Sequence, residues 1–200
     1  MDEIHRGLVG VKIDTSGICF IDGQKGELIY RGYDIRELAD HATFEEVVYL
    51  LWHGDLPDRT QLDSFRARLR EHLTLPTEVT AILRSMQPDL RPMHALRTAV
   101  SRMGSNDMQA DDLSRANLER IGLRLTAQIP ALVAAMVRLR QGLEPVEPDP
   151  GLSLAANFLY MLTGEEPTPA AVRVMDVALV LHAEHGANAS TFVARATAST

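Results

Sequence analysis

The sequence predicts a mainly α-helical protein with a small N-terminal β-ribbon, and two observations carry that prediction. From Ile35 onward, apolar residues recur three and four apart in nearly every segment, the period of helices with one buried face. Before Ile35 the apolar runs are short and separated by turn sequences, the pattern of a hairpin. With 200 residues, 46% of them apolar and 24% charged, the chain has the composition of a soluble globular protein and length enough for a sizeable core.

The ribbon is expected from Val9–Ile13, Ile18–Ile21 and Glu27–Tyr30, punctuated by Gly17 and by Asp22-Gly23-Gln24-Lys25-Gly26. It is too small to stand alone. Thr43-Phe44-Glu45-Glu46 fits a capping box ahead of Val47, Val48, Leu50 and Leu51, and that helix should end near Gly54. Asp58 to Leu73 places Leu62, Phe65, Leu69 and Leu73 on one face. Pro76 opens a short helix with Val79, Ile82, Leu83 and Met86, and Pro92 to Met103 is another, closed by Gly104. Leu113 to Leu139 predicts one long helix kinked near Pro130, whose ring nitrogen cannot donate. Glu144 to Pro150 is an extended acidic, proline-rich link, and helix resumes at Ser153. Thr168-Pro169 caps a helix whose Val172, Met175, Leu179 and His182 share a face. Ser190 to Thr200 begins as a helix with no closing signal, which is how a chain cut inside a helix would look.

Charge and composition remove several function classes. The net charge of −7 opposes a general role on nucleic acid or anionic membrane, since phosphate binding needs a positive field. No apolar run reaches the roughly 18 to 20 uninterrupted residues of a membrane span. The acidic start, Met1-Asp2-Glu3, is unlike a signal peptide, so a cytoplasmic protein is expected. Cys19 is the one cysteine, which excludes a disulfide framework within the chain. Only Lys12 and Lys25 are lysines among 20 basic residues; arginine's planar fork suits carboxylates and phosphates but identifies no site by itself.

The densest polar segment is Leu181-His182-Ala183-Glu184-His185-Gly186-Ala187-Asn188-Ala189-Ser190, where one helix stops and another starts. Helix ends expose unpaired N–H groups, and a histidine there can bond a small carboxylate. The same residues fit a plainer account. His182 can pack in the core with its nitrogens satisfied, and Asn188 or Ser190 can cap the last helix. The residues alone leave both open. A zinc-protease pattern is excluded, because its histidines stand four apart and these stand three apart. His5, His41, His53, His72 and His94 are scattered, and no Gly-rich phosphate loop or nucleophile elbow occurs.

Three colinear stretches then add a resemblance. Gly7–Asp34, ending in Leu28-Ile29-Tyr30-Arg31-Gly32-Tyr33-Asp34-Ile35, resembles the N-terminal segment of citrate synthases and 2-methylcitrate synthases. Pro92-Met93-His94-Ala95-Leu96-Arg97-Thr98 resembles a second segment of that family. Asn157–Gly164, continuing through Leu181-His182-Ala183-Glu184-His185 to Asn188-Ala189-Ser190-Thr191-Phe192, is the strongest match. The resemblance covers essentially the whole chain and about the first half of the family's length. Arg91, His94 and Gly186 depart from the residues commonest there.

The resemblance implies a ribbon segment over 1–34 and, over 35–200, the helices of the family's large domain without its small domain or C-terminal helices. It implies an acyltransferase of the tricarboxylic acid cycle that condenses oxaloacetate with acetyl-CoA, or with propionyl-CoA in the methylcitrate branch. The CoA thioester is a substrate, and no cofactor or metal is expected. By the same resemblance His185 contacts oxaloacetate, Asn188 belongs to its loop, and His182 supports the site from behind. No catalytic residue is identifiable in this chain, because the family's catalytic histidines and aspartate lie further along. The expectation is a fragment, or one subunit of a split enzyme, inactive alone and pairing as a homodimer or with a complementing C-terminal subunit. A non-catalytic helical interaction module is the rival reading.

Overall fold

The computed structural model describes residues 15–87 and 89–198. The expected strand Val9–Ile13 and the last residues of the Ser190–Thr200 helix lie outside them. The ribbon is β1 (Cys19–Asp22), β2 (Glu27–Tyr30) and β3 (Tyr33–Asp34), antiparallel in the order β1-β2-β3. Cys19 stands opposite Tyr30 and Asp22 opposite Glu27. The Asp22 side chain sets the first turn by accepting from the Gln24 and Lys25 N–H groups at 3.0 and 3.1 Å. At the second turn Arg31 takes φ 49°, a left-handed conformation costly for a side-chain-bearing residue. Its guanidinium reaches the Leu51 carbonyl through two donors, at 3.2 and 2.8 Å, and so ties the ribbon to the helix behind it.

The helices are α1 (Ile35–His41), α2 (Phe44–His53), α3 (Arg59–Arg70), α4 (Thr77–Ser85), α5 (Pro92–Ser105), α6 (Arg115–Arg140), α7 (Leu154–Thr163), α8 (Pro169–Leu181) and α9 (Ala189–Ala198). The Thr43–Glu46 capping box forms as expected, with Gly54 closing α2 at φ 101°. Other boundaries move. α3 stops at Arg70, yet Leu73 is still buried from the turn beyond it. Gly104 does not close α5, which runs to Ser105. Leu113 lies ahead of α6, whose cap is Ser114. His182 is exposed, and the buried residues of α8 are Asp176 and Val180.

Apolar clusters divide the interior. Tyr30, Leu38, Val47, Leu50 and Val180 join the ribbon, α1, α2 and α8. Val48, Phe65, Leu69, Leu123 and Leu154 join α2, α3, α6 and α7, and Val79, Leu83, Ala99 and Leu132 join α4, α5 and α6. Ala131, Ala134 and Met161 join α6 to α7. α6 is long and apolar enough to cross a membrane by length and composition, with a mean hydropathy of 1.3. Leu123, Ala127, Ala131 and Leu132 of this helix are buried in the clusters.

Two buried acids tie helices together. Glu45 Oε1 accepts from the Leu154 N–H, at the start of α7, at 2.8 Å. Asp176 Oδ1 accepts from the Phe44 N–H, at the start of α2, at 3.0 Å. Each puts negative charge at the positive end of a helix dipole and fills an orphan donor. Arg173, one turn before Asp176, donates to the carbonyls of Ala39, Asp40 and Ala42 around the end of α1. α8 is therefore clamped along its length, and its C-terminal end is delivered to a fixed place beside the ribbon.

Candidate functional site

The connection between α8 and α9 holds all three expected site residues, His182, His185 and Asn188. Helix α8 ends at Leu181, and the next N–H groups turn back on it: His182 N–H donates to Leu179 O and Ala183 N–H to Val180 O, both at 3.3 Å. The His182 Nδ1 lies 2.7 Å from Ala178 O. A carbonyl only accepts, so Nδ1 carries the proton and Nε2 is left as an acceptor in the neutral ring. His182 is exposed, so the plainer of the two accounts, in which it packs in the core, does not hold. It borders a cavity of about 290 Å³ between α2, α6 and α8, lined by Phe44, Val48, Leu51, Trp52 and Leu179. Thr126 also lines it, one turn before Pro130, which has no N–H to donate to the Thr126 carbonyl.

His185 is exposed, and its imidazole makes no hydrogen bond to any described residue. Gly186 comes next in a left-handed conformation, φ 84°, which turns the chain toward α9. Asn188 caps α9: its Oδ1 accepts from the Thr191 N–H and its carbonyl from the Phe192 N–H, each at 2.8 Å. Ser190 sits inside the first turn of α9 and is not the cap. No hydrogen bond joins His182, His185 and Asn188 to one another. The arrangement presents an exposed imidazole just ahead of a helix, and an imidazolium there can donate to a carboxylate.

Sequence reasoning missed two residues of this site, Tyr30 and Glu184. Tyr30 is fully buried at the end of β2, and its hydroxyl donates to Glu184 O at 2.7 Å while accepting from Glu184 N–H at 3.1 Å. The Glu184 Oε1 accepts from Gly186 N–H at 2.5 Å and lies 3.8 Å from Cys19 Sγ. Burial first, then the Glu184 charge, raises the Cys19 thiol, so it remains a protonated donor. Burial likewise raises the Tyr30 phenol. The signal available was a tyrosine ending a strand whose inward face must be apolar, since a buried hydroxyl needs partners.

The remaining described histidines lie elsewhere. His41 is 3.9 Å from Glu37, and His53 packs on Tyr49 with ring centroids 4.2 Å apart. His72 is held below the usual imidazole range, chiefly by burial, with Arg124, Arg120 and Arg68 adding to it. Among the described residues no group of three or more histidine, cysteine or acidic side chains is placed to hold a metal.

Comparison with known proteins meets this geometry. The family model described as "Citrate synthase, C-terminal domain" matches residues 7–200. The citrate synthase of Haloferax volcanii is 50% identical over 203 residues, covering 99% of this chain and 53% of that protein. A 2-methylcitrate synthase of Mycobacterium tuberculosis is 40% identical over 198 residues, covering 99% of this chain and 50% of its own. The crystal structure of citrate synthase from Pyrobaculum aerophilum superposes with a TM-score of 0.88 at 40% identity, over 94% of this chain and 49% of that one. The chain spans about half the length of the relatives it matches. An all-α fold carrying a small ribbon, a family match along nearly the whole chain, and relatives of half or near-half identity agree: this chain belongs to the citrate synthase family.

Proposed function

We propose that this chain supplies one wall of the oxaloacetate site of a citrate synthase-type acyltransferase, with His185 donating to a substrate carboxylate. The observation that carries the reading is the exposed imidazole of His185, without a hydrogen-bond partner among the described residues, at the junction leading into α9, in a chain of this family. Asn188 holds the first turn of α9 in place beside it, and His182, fixed by its bond to Ala178 O, backs the same connection. Oxaloacetate and an acyl-CoA are the substrates, and the thioester is consumed rather than retained as a cofactor. Acetyl-CoA is the first reading of the acyl donor. The similarity to a 2-methylcitrate synthase supports propionyl-CoA as the second.

Condensation requires a carboxylate base to deprotonate the thioester methyl and a neutral donor at the enolate oxygen. No residue of this chain is assigned to either role, so turnover requires those residues from the remainder of the enzyme or from a complementing subunit. Two measurements test the reading. The chain alone, given acetyl-CoA and oxaloacetate, should release no CoA; turnover at the rate of the family's complete enzymes would overturn it. Calorimetric titration with oxaloacetate should show His185→Ala weakening binding by roughly 10- to 100-fold, the value of one charge-assisted hydrogen bond. Equal binding by the variant would remove His185 from the site.

A further inference from the structure

The ring of His185 makes no hydrogen bond to any described residue, so the backbone on either side of it sets where it points. Both sides are held. On the N-terminal side, the buried hydroxyl of Tyr30 closes on the two backbone groups of Glu184 at once, at 2.7 and 3.1 Å. On the C-terminal side, the Gly186 N–H is taken by the carboxylate of Glu184, at 2.5 Å. Glu184 is thus a bracket around His185: its main chain is fixed from the ribbon, and its side chain fixes the Gly186 amide. The clamp is non-local, since Tyr30 and Glu184 are 154 residues apart.

We infer that Tyr30 and Glu184 are positioning residues that hold His185 ready for its ligand, an inference that rests on reading His185 as a carboxylate donor. An exposed connection loses conformational entropy when a ligand orders it. One already ordered by three backbone-directed bonds avoids that loss, so removing the bonds weakens the ligand without touching it. Tyr30 is fully buried, so its hydroxyl acts on the ligand only through the backbone of Glu184.

The test separates the bracket from the ligand. Amide hydrogen exchange is measured on the full chain and on Tyr30→Phe, which keeps the ring and removes the hydroxyl, with Glu184→Ala as a second variant at a half-buried site. Exchange at Glu184 and Gly186 should quicken by roughly tenfold or more in Tyr30→Phe, and at Gly186 in Glu184→Ala, while Val180 inside α8 keeps its protection. Oxaloacetate binding should weaken by about tenfold in Tyr30→Phe. It should weaken no further when the change is added to His185→Ala, because the effect passes through that histidine. Unchanged exchange at Glu184 and Gly186 overturns the inference, and so do additive losses in the double variant. If the wild type binds no oxaloacetate, the reading of His185 falls instead, and the exchange rates alone support or overturn the bracket.

Discussion

Asp176 is a carboxylate that burial works against. It caps α2 through Phe44 N–H and lies 3.5 Å from Arg173, yet burial holds its acidity above the usual range, with Glu46 adding to the rise and Arg173 and Arg66 opposing it. A folded-state value above the unfolded one means the native protein binds the proton more tightly. The contribution is fully favourable below the unfolded value and is lost as pH rises through the folded one. Asp176→Asn keeps an acceptor for Phe44 N–H and removes the titration. Urea melts across the acidic range should show the wild type losing stability relative to the variant as pH climbs above 3.8 toward neutrality. A constant difference between the two would show that the carboxylate is not uphill in the fold. Residues of this kind are the ones the sequence hides. Thr43 and Glu46 were legible because a capping box closes within one turn. Asp176, Glu45 and Tyr30 meet partners 132, 109 and 154 residues away, and no local pattern encodes such a meeting.

Helices α3, α4, α5 and α7 pack against α6, and at Gly122 the helix meets α2 closely by having no side chain there. A methyl group at that position would come within 2.9 Å of the Trp52 ring, whose own position is fixed edge-on against Phe65 with centroids 5.8 Å apart. Alanine raises helix propensity by about 1 kcal/mol over glycine, but overpacking costs typically 1–3 kcal/mol. The ring is the far end of a side chain and yields partly, so Gly122→Ala should come out destabilising by about 1 kcal/mol. Trp52 is the protein's only tryptophan, which makes the shift readable. Its fluorescence should move in the folded variant, and a stabilised variant with an unmoved spectrum would deny the close approach. Helix periods were legible element by element because each is set by its own residues. Their ends were less so: Gly104 is a stop signal in isolation, but α5 continues to Ser105, with Arg102 donating to Ser105 and Asn106 at its end. On α8 the period put an apolar face at Val172, Met175 and Leu179, whereas the fold buries Asp176 and Val180 most deeply, because α2 and α1 offer that side a helix N-terminus and a set of carbonyls.

At the scale of the molecule, the outer side of the α5–α6 pair is a groove of about 530 Å³ lined by Pro92, Met93, Leu96, Val133, Met136 and Val137. Met93 is 69% exposed at its edge, where a monomer would ordinarily place a polar residue. The homodimer that the resemblance implied would use this groove, since an apolar lining rimmed by Arg140 and Gln141 has the core-and-rim character of a subunit interface. A stable pair buries about 1,600 Å² in total, and a self-complementary surface closes as a twofold dimer. Met93→Glu would place a charge at the edge of that contact in both copies at once, while sitting too far into solvent to disturb α5. Sedimentation velocity should therefore find the wild type at twice the 22.1 kDa chain mass and the variant at the chain mass, with unchanged helical circular dichroism. A variant that stays dimeric moves the interface off this groove, and a wild type that sediments as a monomer removes the second copy as its occupant. The charge is the sharper probe than truncation to alanine, because an unpaired carboxylate buried at an interface costs far more than a lost methionine contact.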